Sequence, residues 1–309
     1  FRGDKTTKGT FFVQLPATFN LDVFTSGNLE MKGALNGKIR VRTTEGTVNL
    51  GDVSGTLTID STGSDVSVGN VTGSANLSTN GDLEVQSVTA DLDLKNRSGD
   101  TFAKNVGGNL SARSEDGDIS IGEVTGNATV VAGIGDVDLH KVGGVATLNT
   151  EGGDIDLFEV PGMVVASSGS GEITLRKVTG AADAKTEDGD ITAEMYSGSG
   201  GSSKFYSKDG DISVYFPDTA KASVSAKFHP ETPGGTKADA KDAAEDVITS
   251  DWPAANTQQQ AGDVINKYDI NGGGDAVLVE TVSGELTIKK LLPQGVKPTA
   301  KKPATKKPN

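Results

Sequence analysis

The chain has 309 residues, with 29 Lys and Arg against 42 Asp and Glu, 41 Gly, two His, no Cys and a net charge of -13. Without a thiol there is no disulfide framework, Cys-based metal site or Cys nucleophile, and two histidines are too few for a His-rich metal centre. The negative balance argues against nucleic acid as a partner, since phosphate neutralisation needs basic density, and no apolar run approaches the length of a membrane span.

Residues 1–37 open on Phe1 rather than Met, which points to a removed leader or a longer parent chain. The segment holds Phe1, Phe11, Phe12, Phe19 and Phe24 and is expected to form capping strands at one end of a repeat array. Its Arg2-Gly3-Asp4 triplet has the form of an integrin ligand, but a Gly- and Asp-rich chain produces such a triplet by chance.

Residues 38–228 are periodic. A Gly-Asp-apolar unit puts its apolar residue at Val48, Val66, Leu83, Ile119, Val137, Ile155, Ile173 and Ile191, with Thr101 as a polar exception. The step is 18 residues, once 17, and the last step, to Ile212, is 21 because a loop at 197–203 absorbs three more. Two residues on lies a second apolar column, such as Leu139, Leu157 and Leu175, which is the alternation of a strand. Five residues on stands a valine in eight consecutive units, from Val53 to Val178, with Gly or Ala two later, read as a buried corner and a tight turn. A second alternating segment follows, as at Leu110 and Ala112. A small hydroxyl or amide residue closes the unit, as at Ser61, Thr79, Asn96, Ser114, Thr150, Ser168 and Thr186.

Each unit is thus one coil of two short strands and two turns, and the expected fold is an all-β parallel β-solenoid with coils about 4.8 Å apart. Apolar positions at 0, 2, 5, 9 and 11 do not fit a left-handed hexapeptide helix, so a right-handed β-helix or a flattened two-sheet roll is expected.

Residues 229–270 break the period with Pro230, Pro233, Gly234 and Gly235, and read as an irregular insertion whose Ala/Asp/Lys run forms one short helix. Phe205, Tyr206, Tyr215, Phe216, Phe228, Trp252 and Tyr268 gather around it as a second cap. Residues 271–290 resume the alternation and are expected to form a closing coil. Residues 291–309 end in a Lys/Pro-rich tail with five Lys and three Pro from Lys297 onward, an extended low-complexity segment.

The unit Thr186-Glu187-Asp188-Gly189-Asp190-Ile191, repeated in Ser114 to Ile121, is joined by Asn271-Gly272-Gly273-Gly274 before a final strand pair and by the entry strand Phe12-Val13-Gln14-Leu15-Pro16. Together they resemble the bacterial adhesin family of β-solenoid domains, of largely unknown function, over about residues 11 to 290. That resemblance implies the fold and an exported or surface-attached location, and brings no catalytic residues with it.

Asp or Glu stands beside the turn glycine at Asp65, Asp82, Asp100, Asp118, Asp136, Asp154, Glu172, Asp190 and Asp211. A carboxylate ladder at strand spacing repels itself unless bridged, so calcium is weighed as a cofactor. Only one half of each coil carries the acid, which favours the plainer reading of side chains that bond turn amides. Lys95, Arg113 and Lys185 read as a solvated face. The column Thr58, Asn76, Asp93, Ser111, Thr129, Thr147, Val165 and Asp183 is too mixed to bind ice. His140, placed at an exterior turn, and His229, in the insertion, lack partners in sequence, so no catalytic, cofactor-binding or metal residue is singled out. The expected function is a non-enzymatic, exported protein with an adhesive or structural role at the cell surface or in extracellular matrix, with the periplasm as a further location. Its expected partners are copies of itself, through the solenoid ends and the tail, and cell-surface or matrix polymers. The alternative is an envelope glycan-binding or glycan-degrading β-helix protein.

Overall fold

A computed structural model describes residues 10, 12–196, 201–229, 247–260 and 263–292. The described residues are all-β. One set of strands is β1 (Leu21–Thr25), β3 (Leu35–Thr43), β5 (Val53–Ser61), β7 (Ala75–Thr79), β9 (Leu92–Asn96), β11 (Leu110–Ser114), β13 (Ala128–Ala132), β15 (Ala146–Thr150), β17 (Val164–Ser168), β19 (Ala182–Thr186) and β21 (Ser203–Ser207). Between them along the chain run β2 (Leu29–Met31), β4 (Thr47–Leu50), β6 (Asp65–Val71), β8 (Leu83–Val88), β10 (Thr101–Val106), β12 (Ile119–Val124), β14 (Val137–Val142), β16 (Ile155–Val160), β18 (Ile173–Val178), β20 (Ile191–Met195) and β22 (Ile212–Phe216). The C-terminal part adds β23 (Ala222–Phe228), β24 (Ile248–Ser250), β25 (Asn256–Gln260), β26 (Asp263–Ile270), β27 (Asp275–Thr281) and β28 (Leu286–Lys290).

From β1 to β22, strands two places apart pair in parallel, so odd strands build one sheet and even strands the other. Ile119 pairs with Val137 and Val137 with Ile155, which sets the 18-residue coil of the expected parallel β-solenoid. Alternate side chains enter the space between the sheets. In one coil Val137, Leu139, Val142, Ala146 and Leu148 are all within 1% of full burial. A buried aliphatic side chain of this kind contributes about 1.5–3 kcal/mol, and repetition coil after coil makes the core continuous. The valine column is the corner between the sheets, as its spacing predicts.

Glycine is required at the Gly-Asp turn by close approach of successive coils. A Cβ on Gly153 would lie 2.1 Å from the carbonyl oxygen of Gly135, and one on Gly171 would lie 2.0 Å from that of Gly153. Any side chain there forces two coils apart.

The C-terminal end departs from simple succession. The coil of β27 and β28 enters between earlier and later strands: β27 pairs with β21 on one side and β23 on the other, and β28 with β22 and β24. Residues 271–290 therefore close the sheet from within, and the outermost position falls to the segment expected to be an irregular insertion. That segment contributes β24 and an antiparallel extension in which β26 pairs with β23 and β25 with β26. Its Val264, Tyr268 and Ile270 alternate inward, a pattern hidden by the Pro- and Gly-rich stretch before it. The short helix, the tail and the Arg2-Gly3-Asp4 triplet fall outside the described residues.

The two aromatic groups behave differently. Phe205 and Phe216 are fully buried, Phe228 and Tyr268 nearly so, and Trp252 meets Phe216 edge-on at 6.3 Å, as a cap requires. At the other end Phe12, Phe19 and Phe24 are exposed, Phe12 to 94%.

Candidate functional site

The acid beside each turn glycine is tied into the next coil. The amide of Asp82 donates to Oδ1 of Asp65, that of Asp154 to Asp136, Glu172 to Asp154, Asp211 to Asp190 and Glu285 to Asp211, at 2.7 to 3.1 Å. The turn-forming reading is right in kind, but the bond crosses to the neighbouring coil instead of staying within the turn. At the coil's other turn a second ladder runs from Asp91 to the amide of Asn109, from Asn109 to Asn127, and from Asn127 to Val145. Inside, the Ser168 hydroxyl donates to the Gly153 carbonyl at 3.0 Å and accepts from the Gly171 amide at 2.8 Å, joining two turns. Thr186 and Ser207 do the same. The described residues contain no group of three or more His, Asp or Glu placed to hold a metal ion.

Two surfaces stand apart from this regular scaffold. The first is an open groove of about 740 Å³ over β5 to β13, lined by Thr58, Asn76, Asp93, Ser111, Asn127 and Thr129 among others. Its carboxylates are engaged: Asn76 donates to Asp93 at 2.9 Å and Asn109 to Asp91 at 3.2 Å.

The second lies on the outward face of β12 to β18, in the even sheet. His140 is on a strand, not at an exterior turn as the sequence suggested, and stacks on Phe158 of the next coil with ring centroids 5.0 Å apart and planes 18° off parallel. Lys177, one coil further on, lies over the Phe158 ring with its Nζ 5.7 Å from the centroid, and bonds Glu159 at 2.6 Å. Lys141 sits 3.9 Å from both Glu123 and Glu159, so charges alternate along this edge. Asp156 pairs with Arg176 at 3.0 Å. Its strand neighbour Asp138 has a pKa raised from its ordinary value, by partial desolvation and then by the Asp156 charge, against the pull of His140 and Arg176. Glu159 is held below its usual value chiefly by the Lys177 hydrogen bond, and it and Lys177 adopt left-handed φ of 58° and 54°. Side chains with a Cβ avoid that region unless the surroundings enforce it, and such positions gather at functional surfaces.

With this geometry in hand, family comparison is decisive: the Toastrack DUF4097 model matches residues 7–124 and again 103–289. The chain belongs to the Toastrack DUF4097 family. The two Toastrack matches overlap at 103–124, as a repeat of near-identical coils permits, and no curated protein or solved structure matches the chain.

A third cluster lies at the C-terminal end of the Toastrack fold. His229, left unpartnered by the sequence reading, bonds Asp263 through Nδ1 at 2.9 Å and Glu280 through Nε2 at 3.2 Å. Lys227 bridges the same two carboxylates at 3.2 and 3.3 Å, and Lys204 approaches Glu280 at 3.4 Å. Burial pushes the Glu280 carboxyl up, but the bonds from His229 and Lys227 outweigh it and leave the pKa lowered. Burial likewise opposes the Lys227 charge, and its bonds to Asp263 and Glu280 leave its pKa raised. His229 follows β23 and Asp263 begins β26, so this cluster latches the ends of the excursion between them. No spacing in the sequence joins these residues. The His140–Phe158 stack did have a signal, since the two stand one 18-residue coil apart in a column that alternation places outward.

Proposed function

We propose that the chain is a non-enzymatic, exported rod with an adhesive or structural role at the cell surface or in extracellular matrix, able to associate end to end. The observation that carries this reading is the use of the acidic column: its carboxylates bond amides of adjacent coils, so the most repeated chemical feature of the chain serves rigidity. The two ends add support for association. Among the described residues, β1 and β2 pair only with β3 and β4, and β25 with β26 alone, so each end presents a strand edge of the kind that recruits another chain. Exposed Phe12, Phe19 and Phe24 add apolar surface at one of them. A head-to-tail contact is heterologous and propagates unless its rotation closes a ring.

The alternative, a glycan-degrading rod, needs a carboxylate pair aimed into a cleft. The groove over β5 to β13 instead favours binding over cleavage, because amides, hydroxyls and already bonded acids line it. The test has two arms. The purified chain should sediment with insoluble cell-wall or matrix polymers, and light scattering at high protein concentration and low salt should show species that grow with concentration. A chain that binds no such polymer and stays monomeric overturns the proposal.

A further inference from the structure

At the 18-residue step, Lys104, Gly122, His140, Phe158 and Arg176 take the same place in successive coils of the even sheet, each next to an inward residue paired between coils, such as Ile121 and Leu139. The aromatic stack in this column is closed at one end and open at the other. Lys177, one coil on, lies over the Phe158 ring, whereas the equivalent position one coil before His140 is Gly122, which has no side chain. That vacancy is enforced, because a Cβ on Gly122 would lie 2.3 Å from the Lys104 carbonyl oxygen. Lys104 and His140 are two strand spacings apart, about 9–10 Å, which leaves room for one ring between them.

We propose that the slot over Gly122 takes a neutral saccharide ring stacked on the open face of His140. This rests on the adhesive reading and names its ligand class. Three features select a sugar. An imidazole face offers an apolar platform to the C–H face of a pyranose. Ser120 and Glu123 on the same strand, Lys104 one coil before and Asp138 one coil after ring the slot with hydroxyl, ammonium and carboxylate groups that bond sugar hydroxyls. Lys141 lies 3.9 Å from Glu123 and Arg176 3.0 Å from Asp156, which leaves Lys104 and Asp138 as opposite charges beside the slot, a balance that suits a neutral ring over a charged one. The left-handed backbone at Glu159 and Lys177 fixes the closed end of the stack, so the platform is preorganised.

The chain has two histidines, which makes NMR of labelled His a site-resolved test with His229 as internal control. The probes are cellotetraose and the N-acetylglucosamine tetramer, with tetragalacturonate as the anionic comparison. The expected result is saturable movement of His140 signals with at least one neutral probe below about 10 mM, no movement at His229 and none with tetragalacturonate. His140→Ala and Phe158→Leu, which keeps an apolar side chain but removes the ring, should each weaken binding about ten-fold with the circular dichroism of the rod unchanged. No movement at His140 with either neutral probe, equal movement of both histidines, or undiminished binding by His140→Ala overturns the slot. Polymer sedimentation separates the two claims: wild-type and His140→Ala sedimenting equally sinks the slot alone, and a wild-type chain that does not sediment sinks the adhesive reading.

Discussion

The amide of Asp154 donates to Oδ1 of Asp136 at 2.8 Å, one coil earlier, so a residue type that should repel its copies at strand spacing is also what links them. The bond needs the oxygen and not the charge, as the neighbouring ladder shows where Asn127 donates to Oδ1 of Asn109 at 3.0 Å. Asp136→Asn should therefore keep or raise the melting temperature at low salt by relieving repulsion, and Asp136→Ala should cost about 1 kcal/mol. Urea unfolding of the two variants decides it; equal losses would mean that the charge is needed.

Ile155 and Asp156 are consecutive, with Ile155 at 1% exposure and Asp156 outward on Arg176. Ile155→Asp should cost about 4–5 kcal/mol and disrupt the coil by burying an unpaired charge, whereas Asp156→Ser should lose no more than about 1 kcal/mol with its surface pair. Equal effects in thermal melts would require a register shifted by one residue.

Gly153 lies where two turns nearly touch. Gly153→Ala should therefore destabilise the rod by about 3 kcal/mol or more although alanine is otherwise the mildest of changes, because coil spacing is fixed by backbone hydrogen bonds on both sides. A melting temperature within a degree of wild type would show that the turns can separate.

The regular coils were legible because one period fixed three things at once. The inward columns gave the sheets, the glycine gave the turn, and the 18-residue step brought residues far apart in sequence into line. Where the period fails, so does the reading. Tyr268 and Ile270 alternate as clearly as any strand, but β26 runs antiparallel to β23, and no column predicts a partner 46 residues away such as Asp269 for Ser223. The insertion of β27 between β21 and β23 was invisible for the same reason, since its sequence matches any coil equally well. His140 and Phe158 were legible in principle and missed because one was assigned to a turn.

The C-terminal latch makes the last prediction, on pH. Glu280 has a folded pKa below its ordinary 4.5, so its contribution is fully present above 4.5 and is lost as pH falls through the lower folded value. Lys227 has a folded pKa above its ordinary 10.5, so its contribution is fully present below 10.5 and is lost as pH rises through the higher folded value. The excursion between β23 and β26 should thus be held across the neutral range and released first at the acid limit, while the regular coils, which lack this network, keep their amide protection. Hydrogen exchange followed peptide by peptide from pH 7 to about pH 3 should show Asp263–Ile270 opening before Ile155–Val160. Glu280→Gln should already show that opening at pH 7, because His229 and Lys227 lose one of the two carboxylates they share and the tie to β27 with it. Should both peptides open together in the wild type, the cluster does not latch the end, and Glu280 stabilises the rod as a whole.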